Sequence, residues 1–112
     1  MQVRAALTAT LARHRTHTGS RYYYRPGKDP LVRVHVDPAH AGDCVTVRTQ
    51  LRRHGRWTRT QNTCVVLSAT SSGRVVVTRA HPDGTRIRLR TLWAGDARNV
   101  AARTPWSTLI FG

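Results

Sequence analysis

Alternation of apolar and polar residues in short segments is the feature that most constrains the fold of this chain. In residues 85–93 (TRIRLRTLW), every second residue from Ile87 to Trp93 would face a core, whereas the Arg residues between them would face solvent. A period of two residues is that of a β-strand with one buried face. Residues 31–36 (LVRVHV) and 44–52 (CVTVRTQLR) repeat the pattern, so we expect strands there as well.

Turn residues divide the chain into about seven such strands. The predicted strands cover residues 3–12, 31–36, 44–52, 57–67, 74–78, 85–93 and 106–111. His54-Gly55 is a predicted hairpin turn, His81-Pro82-Asp83-Gly84 is another turn, and residues 14–20 (HRTHTGS) are polar and turn-like. No segment has the spacing of an amphipathic helix, and the chain contains no Glu, a common helix residue. Short strands at this spacing predict an all-β antiparallel sandwich.

Length and composition fit one folded domain. The chain has 112 residues, which is enough for one hydrophobic core and too short for two. Apolar residues make up 39%, which argues against disorder despite a formal charge of +14. No apolar run approaches the roughly 20 residues of a membrane-spanning helix, so we expect no membrane span. Residues 3–12 are too polar for a secretory signal, so any export signal is expected upstream of Met1.

The positive charge has more than one interpretation. The chain has 19 basic and 5 acidic residues, and Lys28 is its only Lys. A strongly basic chain suggests an anionic partner, either a polymer or a nucleic acid. Abundant Arg, Ala, Val and Thr are also what a GC-rich genome produces, so drift on a tolerant surface explains the charge equally well. The chain has no helix-turn-helix, zinc-finger or RNP-like pattern, so we do not expect nucleic acid as the partner.

Cys44 and Cys64 are the only cysteines and bear on the compartment. An even count in a small β domain fits one disulfide and an oxidising environment. Two buried free thiols are the alternative. A zinc site has less support, because the cysteines form no CxxC unit, although His14 and His17 have a short metal-like spacing.

Several segments taken together point to a family. They are VRAALTATL from Val3, the tyrosines 22–24, the valine strand before Asp37-Pro38, GDCV at 42–45, GRW at 55–57, Cys64 with Val66 and Leu67, IRLR at 87–90, and Trp106 with Leu109 and Phe111. In order and spacing they resemble the C-terminal immunoglobulin-like domain that ends Ig-like repeat proteins secreted by Streptomyces and related actinobacteria. The resemblance extends over almost the whole chain.

The resemblance implies a single immunoglobulin-like β-sandwich over residues 1–112. Such a domain would be secreted or held at the cell surface, as the C-terminal piece of a longer protein. Neighbouring Ig-like domains of the parent chain would be its partners, and Cys44 and Cys64 would be bridged. The family supplies no catalytic residue, cofactor or metal ligand, so none is assigned.

An arginine stripe is the candidate binding site. Arg86, Arg88 and Arg90 alternate on one strand, where residues on the same face are about 7 Å apart. Arg48 and Arg52 would add a parallel row if their strand belongs to the same sheet. Guanidinium groups match phosphates and carboxylates, so the face suits teichoic acid, acidic polysaccharide or nucleic acid. A solvated face with little stabilising role is the alternative.

Aromatic residues form a second candidate. Tyr22, Tyr23 and Tyr24 could contact bases or sugars, but only alternate members of a strand share a face, so at least one should pack in the core or at its rim. The three tryptophans are expected in the core or in packing between strands, namely Trp57, Trp93 and Trp106. Residues 95–99 (GDARN) hold one carboxylate, so we expect a turn with Asx hydrogen bonds rather than a calcium site.

No Ser-His-Asp set is recognisable, so the sequence does not predict an enzyme. It predicts a non-enzymatic extracellular module with a structural or adhesive role. The alternative is a module that binds an anionic polymer, such as a cell-wall polymer, an acidic polysaccharide or nucleic acid, through its arginine face. An intracellular nucleic-acid binder, argued from charge alone, would instead have free thiols.

Overall fold

The computed structural model describes residues 3–77 and 84–112 and is an all-β sandwich. The described residues form twelve strands: β1 (Val3–Arg4), β2 (Ala6–Ala12), β3 (Thr16–Thr18), β4 (Arg21–Tyr24), β5 (Leu31–Asp37), β6 (Cys44–Arg53), β7 (Arg56–Val66), β8 (Ser72–Val76), β9 (Arg86–Trp93), β10 (Asn99–Val100), β11 (Ala102–Arg103) and β12 (Ser107–Phe111). The predicted all-β fold is therefore confirmed. Thr78, the predicted end of one strand, and the turn residues His81-Pro82-Asp83 lie outside the described residues.

Most strands belong to two sheets. The smaller sheet has three strands in the order β2-β5-β8. The larger has seven, in the order β3-β4-β12-β9-β6-β7, with β11 also paired to β9. Within these sheets β4 and β12 run parallel, and the other pairs are antiparallel. The short strands β1 and β10 form a separate parallel pair.

Alternation decides which side chains enter the core, as the sequence predicts. In β5 the three valines are buried while Arg33 and His35 are exposed, and in β9 the residues between the arginines are buried. Buried residues of both sheets form one hydrophobic cluster: Ala5, Leu11, Tyr24, Val32, Val34, Val36, Val45, Val47, Val65, Leu67, Ile87, Leu89, Trp93, Leu109 and Phe111. Because the cluster is shared, the two sheets pack against each other as a sandwich.

Four short strands lie outside the predicted ranges. One of them is β4, which contains the three tyrosines, and the other three are shorter still. The turn-like segment 14–20 contains β3, which pairs with β4, and the segment after Trp93 contains β10 and β11. None of the three has more than three residues, so none can show an apolar alternation. Their conformation is set by the strands beside them and not by a local pattern.

The hairpin of β6 and β7 contains an irregularity that changes the face of its side chains. Its two-residue turn has positive φ at His54 (51°) and Gly55 (75°), which suits a type I′ hairpin and confirms the predicted turn. Thr49 pairs with Gln61 and Leu51 with Thr58, so β7 has one more residue than β6 at this bulge. Side chains of β7 on the turn side of the bulge therefore lie on the opposite face from the one that simple alternation predicts.

A disulfide joins Cys44 of β6 to Cys64 of β7, with their Cα atoms 5.5 Å apart. Cys64 pairs directly with Thr46, so the bridge runs diagonally between neighbouring strands. It lies on the outer side of the sheet, because the next residues, Val45 and Val65, are buried. The predicted bridge is confirmed, and the described residues contain no free cysteine.

Removing the disulfide should lower the free energy of unfolding. The bridge spans a sequence separation of 20 residues, and a loop of this size restricts the unfolded chain by about 3 kcal/mol. We expect the variant Cys44→Ser/Cys64→Ser to lose about this amount in urea denaturation, with the strands otherwise retained.

Reductant provides the control for this prediction. It should destabilise the native protein and leave the double serine variant unchanged, because the variant has no bridge to break. Two alkylatable thiols in the folded, unreduced protein would contradict the disulfide itself.

Candidate functional site

The predicted arginine rows lie side by side on the outer side of the larger sheet. β6 pairs with β9, and this register places Arg48 opposite Arg90 and Gln50 opposite Arg88. Directly paired residues share a face of the sheet. We name this surface the basic face, and it consists of Arg48, Arg52, Arg86, Arg88 and Arg90 together with Trp57 and Trp106.

Tryptophan rings alternate with guanidinium groups across the basic face. Arg88 Cζ lies 4.2 Å from the centre of the Trp106 ring and 5.0 Å from that of Trp57. Arg90 Cζ lies 4.4 Å from Trp106, and Arg52 Cζ lies 5.8 Å from Trp57. We call this series of three arginines and two tryptophans the Arg–Trp ladder. Each cation lies within the range at which an aromatic ring attracts it.

Two arginines of the basic face also donate hydrogen bonds to amide side chains. Arg88 Nε donates to Gln50 Oε1 at 2.6 Å, and Arg48 Nε donates to Asn62 Oδ1 at 2.9 Å. Gln50 is itself held, since its Nε2 donates to Thr60 Oγ1 at 2.9 Å. These bonds use the Nε donors of the two arginines and leave their terminal NH₂ groups for other partners.

No arginine of the basic face has a carboxylate partner among the described residues, where the ion pair found is His40–Asp96. Burial, and then the charges of Arg48, Arg103 and Arg88, hold the pKa of Arg90 below its ordinary value. The Nε of Arg90 is buried and has no hydrogen-bond partner among the described residues. Like charges are therefore crowded here without compensation by protein anions.

The bulge explains the position of Trp57. Val65 of β7 is buried, so alternation alone would direct every odd-numbered residue of β7, Trp57 included, toward the core. The extra residue at the bulge reverses this parity, and Trp57 pairs with Arg52 on the outer side. Of the three tryptophans, only Trp93 lies in the core, while Trp57 and Trp106 pack between strands on the basic face.

The three tyrosines do not form one platform. Tyr24 is fully buried, its ring lies 5.4 Å from Phe111, and its hydroxyl donates to the Ala12 carbonyl at 3.2 Å. Burial, with a contribution from Tyr22, raises the pKa of Tyr24. Tyr22 stacks on His17 at 5.2 Å. Tyr23 pairs with Ile110, which pairs with Arg86, so it alone shares the outer side with the arginines.

The loop that follows β9 has the predicted Asx geometry. Asp96 Oδ1 accepts hydrogen bonds from the backbone N–H groups of Arg98 and Asn99, both at 2.8 Å, and Asp96 Oδ2 lies 3.0 Å from His40 Nε2. The Arg98 N–H bond is the first cause that lowers the pKa of Asp96 from 3.8 to about 2. Gly95 is required before it, since its φ is 81° and a Cβ would lie 2.7 Å from the Ala101 nitrogen.

Neither a metal-ligand cluster nor a membrane-spanning helix is found among the described residues. They contain no group of three or more His, Cys, Asp or Glu side chains placed to hold a metal ion. His14 and His17, which have metal-like spacing, have ring centres 5.2 Å apart in an edge contact. Within the described ranges no helix has the length and apolar character of a membrane span.

Comparison with known proteins does not identify a family for this chain. No protein-family model matches the chain, and no curated protein matches it.

The contact between Arg88 and Trp106 should be measurable as a coupling free energy. In a double-mutant cycle of Arg88→Gln and Trp106→Leu, we expect a coupling of about 0.5–1 kcal/mol, because a partly exposed cation–π pair contributes about that amount. Urea denaturation of the four proteins measures it.

Arg86 supplies the control for this cycle, since it lies on the same strand without a ring contact among the described residues. The cycle of Arg86→Gln and Trp106→Leu should give a coupling near zero. Equal couplings in the two cycles would mean that net charge, and not stacking, links Arg88 to Trp106.

The Asp96 loop should make stability depend on pH in the acid range. The pKa of Asp96 is lowered in the folded protein, so its carboxylate stabilises the fold above about pH 4, and this stabilisation is lost as pH falls toward 2. Asp96→Asn should be less stable than the native protein near neutral pH, and the difference should shrink as pH falls. Urea denaturation across this range measures the effect, and Asp37→Asn controls for the loss of one negative charge. A difference independent of pH would contradict the assignment.

Proposed function

We propose that this chain is a non-enzymatic extracellular module that adheres to an anionic polymer through its basic face. The observation that carries the proposal is the Arg–Trp ladder, in which guanidinium groups are held in place without carboxylate partners among the described residues. Arginines fixed in this way lose little further side-chain entropy when they bind, which favours binding over a purely structural role.

The chemistry of the face favours recognition of repeated negative charge. Arg88 and Arg90 follow each other along one strand, and Arg48 extends the row to the next strand, so the charges form a two-dimensional array. Guanidinium groups bind phosphate and carboxylate oxygens in pairs. Trp57 and Trp106 already have guanidinium groups over their rings, which reduces their use for stacking nucleic-acid bases. A cell-wall polymer or acidic polysaccharide fits better than nucleic acid.

The extracellular assignment rests on the disulfide, which is compatible with an oxidising compartment.

An Ig-like assignment is supported by the division of strands between the sheets. β2, β5 and β8 form one sheet, and β6, β9 and β12 belong to the other, as strands A, B, E and C, F, G do in immunoglobulin domains. The bridge differs from the immunoglobulin pattern, because it joins neighbouring strands of one sheet. On this proposal the domain adjoins further Ig-like domains in a secreted chain.

Neutralising the three arginines of β9 on the basic face should abolish polymer binding. The variant Arg86→Gln/Arg88→Gln/Arg90→Gln is compared with the native protein for binding to poly(glycerol phosphate), polygalacturonate and neutral dextran. We expect binding to the two polyanions only, a loss of at least about tenfold in the variant, and a salt dependence whose log–log slope falls by about 2 to 3. Tryptophan fluorescence reports contact with the face, because Trp57 and Trp106 lie on it whereas Trp93 is buried in the core.

A second triple variant separates the face from net charge. Arg13→Gln/Arg25→Gln/Arg98→Gln removes the same charge from exposed loop positions, and its affinity should stay within about threefold of the native value at about 0.15 M salt. Retention of binding in the first variant would exclude the basic face. Equal losses of affinity in both variants would mean that the formal charge of +14, and not the basic face, attracts the polymer.

A further inference from the structure

A second basic surface lies on the opposite side of the sandwich, on the outer side of the smaller sheet. There a groove of about 540 Å³ crosses β2, β5 and β8. Its polar lining residues include Thr8, Thr10, Arg33, His35, Ser72 and Arg74. The volume lies within the usual range for sites that hold small ligands.

Two arginines face each other in this groove. Arg33 of β5 pairs directly with Arg74 of β8, so their side chains share the outer face. Like charges at directly paired positions destabilise a sheet. Neither arginine has a carboxylate partner or a ring contact among the described residues, and no acidic residue lines the groove. An anion bound between the two guanidinium groups would relieve this repulsion.

Hydroxyl and imidazole groups extend the polar part of the groove. His35 and Ser72 form the next directly paired position, and His35 Nδ1 lies 2.9 Å from Ser72 Oγ. Thr8 and Thr10 pair with His35 and Arg33 from the other side, through β2. The oxygen atoms of a tetrahedral anion could therefore receive hydrogen bonds from several directions. The lining offers no carboxylate that would complete a catalytic triad with His35 and Ser72.

An exposed apolar residue from the neighbouring edge of the larger sheet also lines the groove. Val66, at the end of β7, is 64% exposed, the most exposed large hydrophobic residue in the described part of the chain, and it lines the groove with Val34 and Gly73. A ligand whose anionic group lies between the arginines would bring its remaining atoms against Val66. The site therefore suits a ligand that is anionic at one end and apolar at the other.

We propose that this groove binds a phosphate monoester carried on an apolar body, with Arg33 and Arg74 on the phosphate and Val66 on the body. Phosphate is favoured over a single carboxylate because two guanidinium groups match its greater charge and number of oxygens. The proposal is independent of polymer binding, since Arg33 and Arg74 belong to the smaller sheet and the arginines of the basic face to the larger one.

Phenyl phosphate is the probe that tests this site, with inorganic phosphate and benzoate as its two halves. Binding is followed by NMR, since the backbone signals of β5 and β8 report the groove and those of β6 and β9 report the basic face. We expect phenyl phosphate to shift the signals of β5 and β8 and to bind more tightly than either half. Arg33→Gln and Arg74→Gln should each weaken it about tenfold.

Two further variants make the outcome decisive. Val66→Ser should weaken phenyl phosphate without changing the affinity for inorganic phosphate, and Arg86→Gln on the basic face should change neither. Shifts confined to β6 and β9, or unchanged affinity in both groove arginine variants, would overturn the site. Benzoate binding as tightly as phenyl phosphate would overturn the assignment of phosphate. None of these results depends on whether the polymer binds.

Discussion

The antiparallel pairing of β6 and β9 is the interaction on which both the core and the basic face depend. One register places Val47 beside Thr91 on the inner side and Arg48 beside Arg90 on the outer side. Because successive side chains of a strand point to opposite faces, burial of one set fixes the position of the other. A slip of one residue would exchange the valines and the arginines, so the hydrophobic cluster holds the arginines in their array.

Arginines that lie close together repel one another, and their contacts with other groups differ between the two sides of the sandwich. On the basic face, Arg88 lies between two indole rings and donates to Gln50. Cation–π contacts and hydrogen bonds offset part of the repulsion there while leaving terminal donors exposed. In the groove, Arg33 and Arg74 have neither kind of support among the described residues. The first surface suits an extended polyanion and the second a compact anion.

Polar contacts between loops join the two sheets at one end. His40 follows β5 of the smaller sheet, and its Nε2 meets Asp96, which follows β9 of the larger one. The His40 ring also packs on buried Trp93, with ring centres 4.4 Å apart. The disulfide has a different role, because it joins two strands of one sheet. The Asx turn at Asp96 could be predicted from the local sequence, whereas its contact with His40, from a distant loop, could not.

The sequence by itself determined the long strands and the face of most of their side chains, and it left one possible disulfide, since alternation and composition are local properties. It also indicated the Arg86, Arg88 and Arg90 stripe. Only the tertiary structure decided that β6 lies beside β9, which brings Arg48 opposite Arg90. The bulge in β7 likewise decided that Trp57 lies on the basic face and not in the core. Both depend on which strands become neighbours, and long-range packing of the whole core selects those partners.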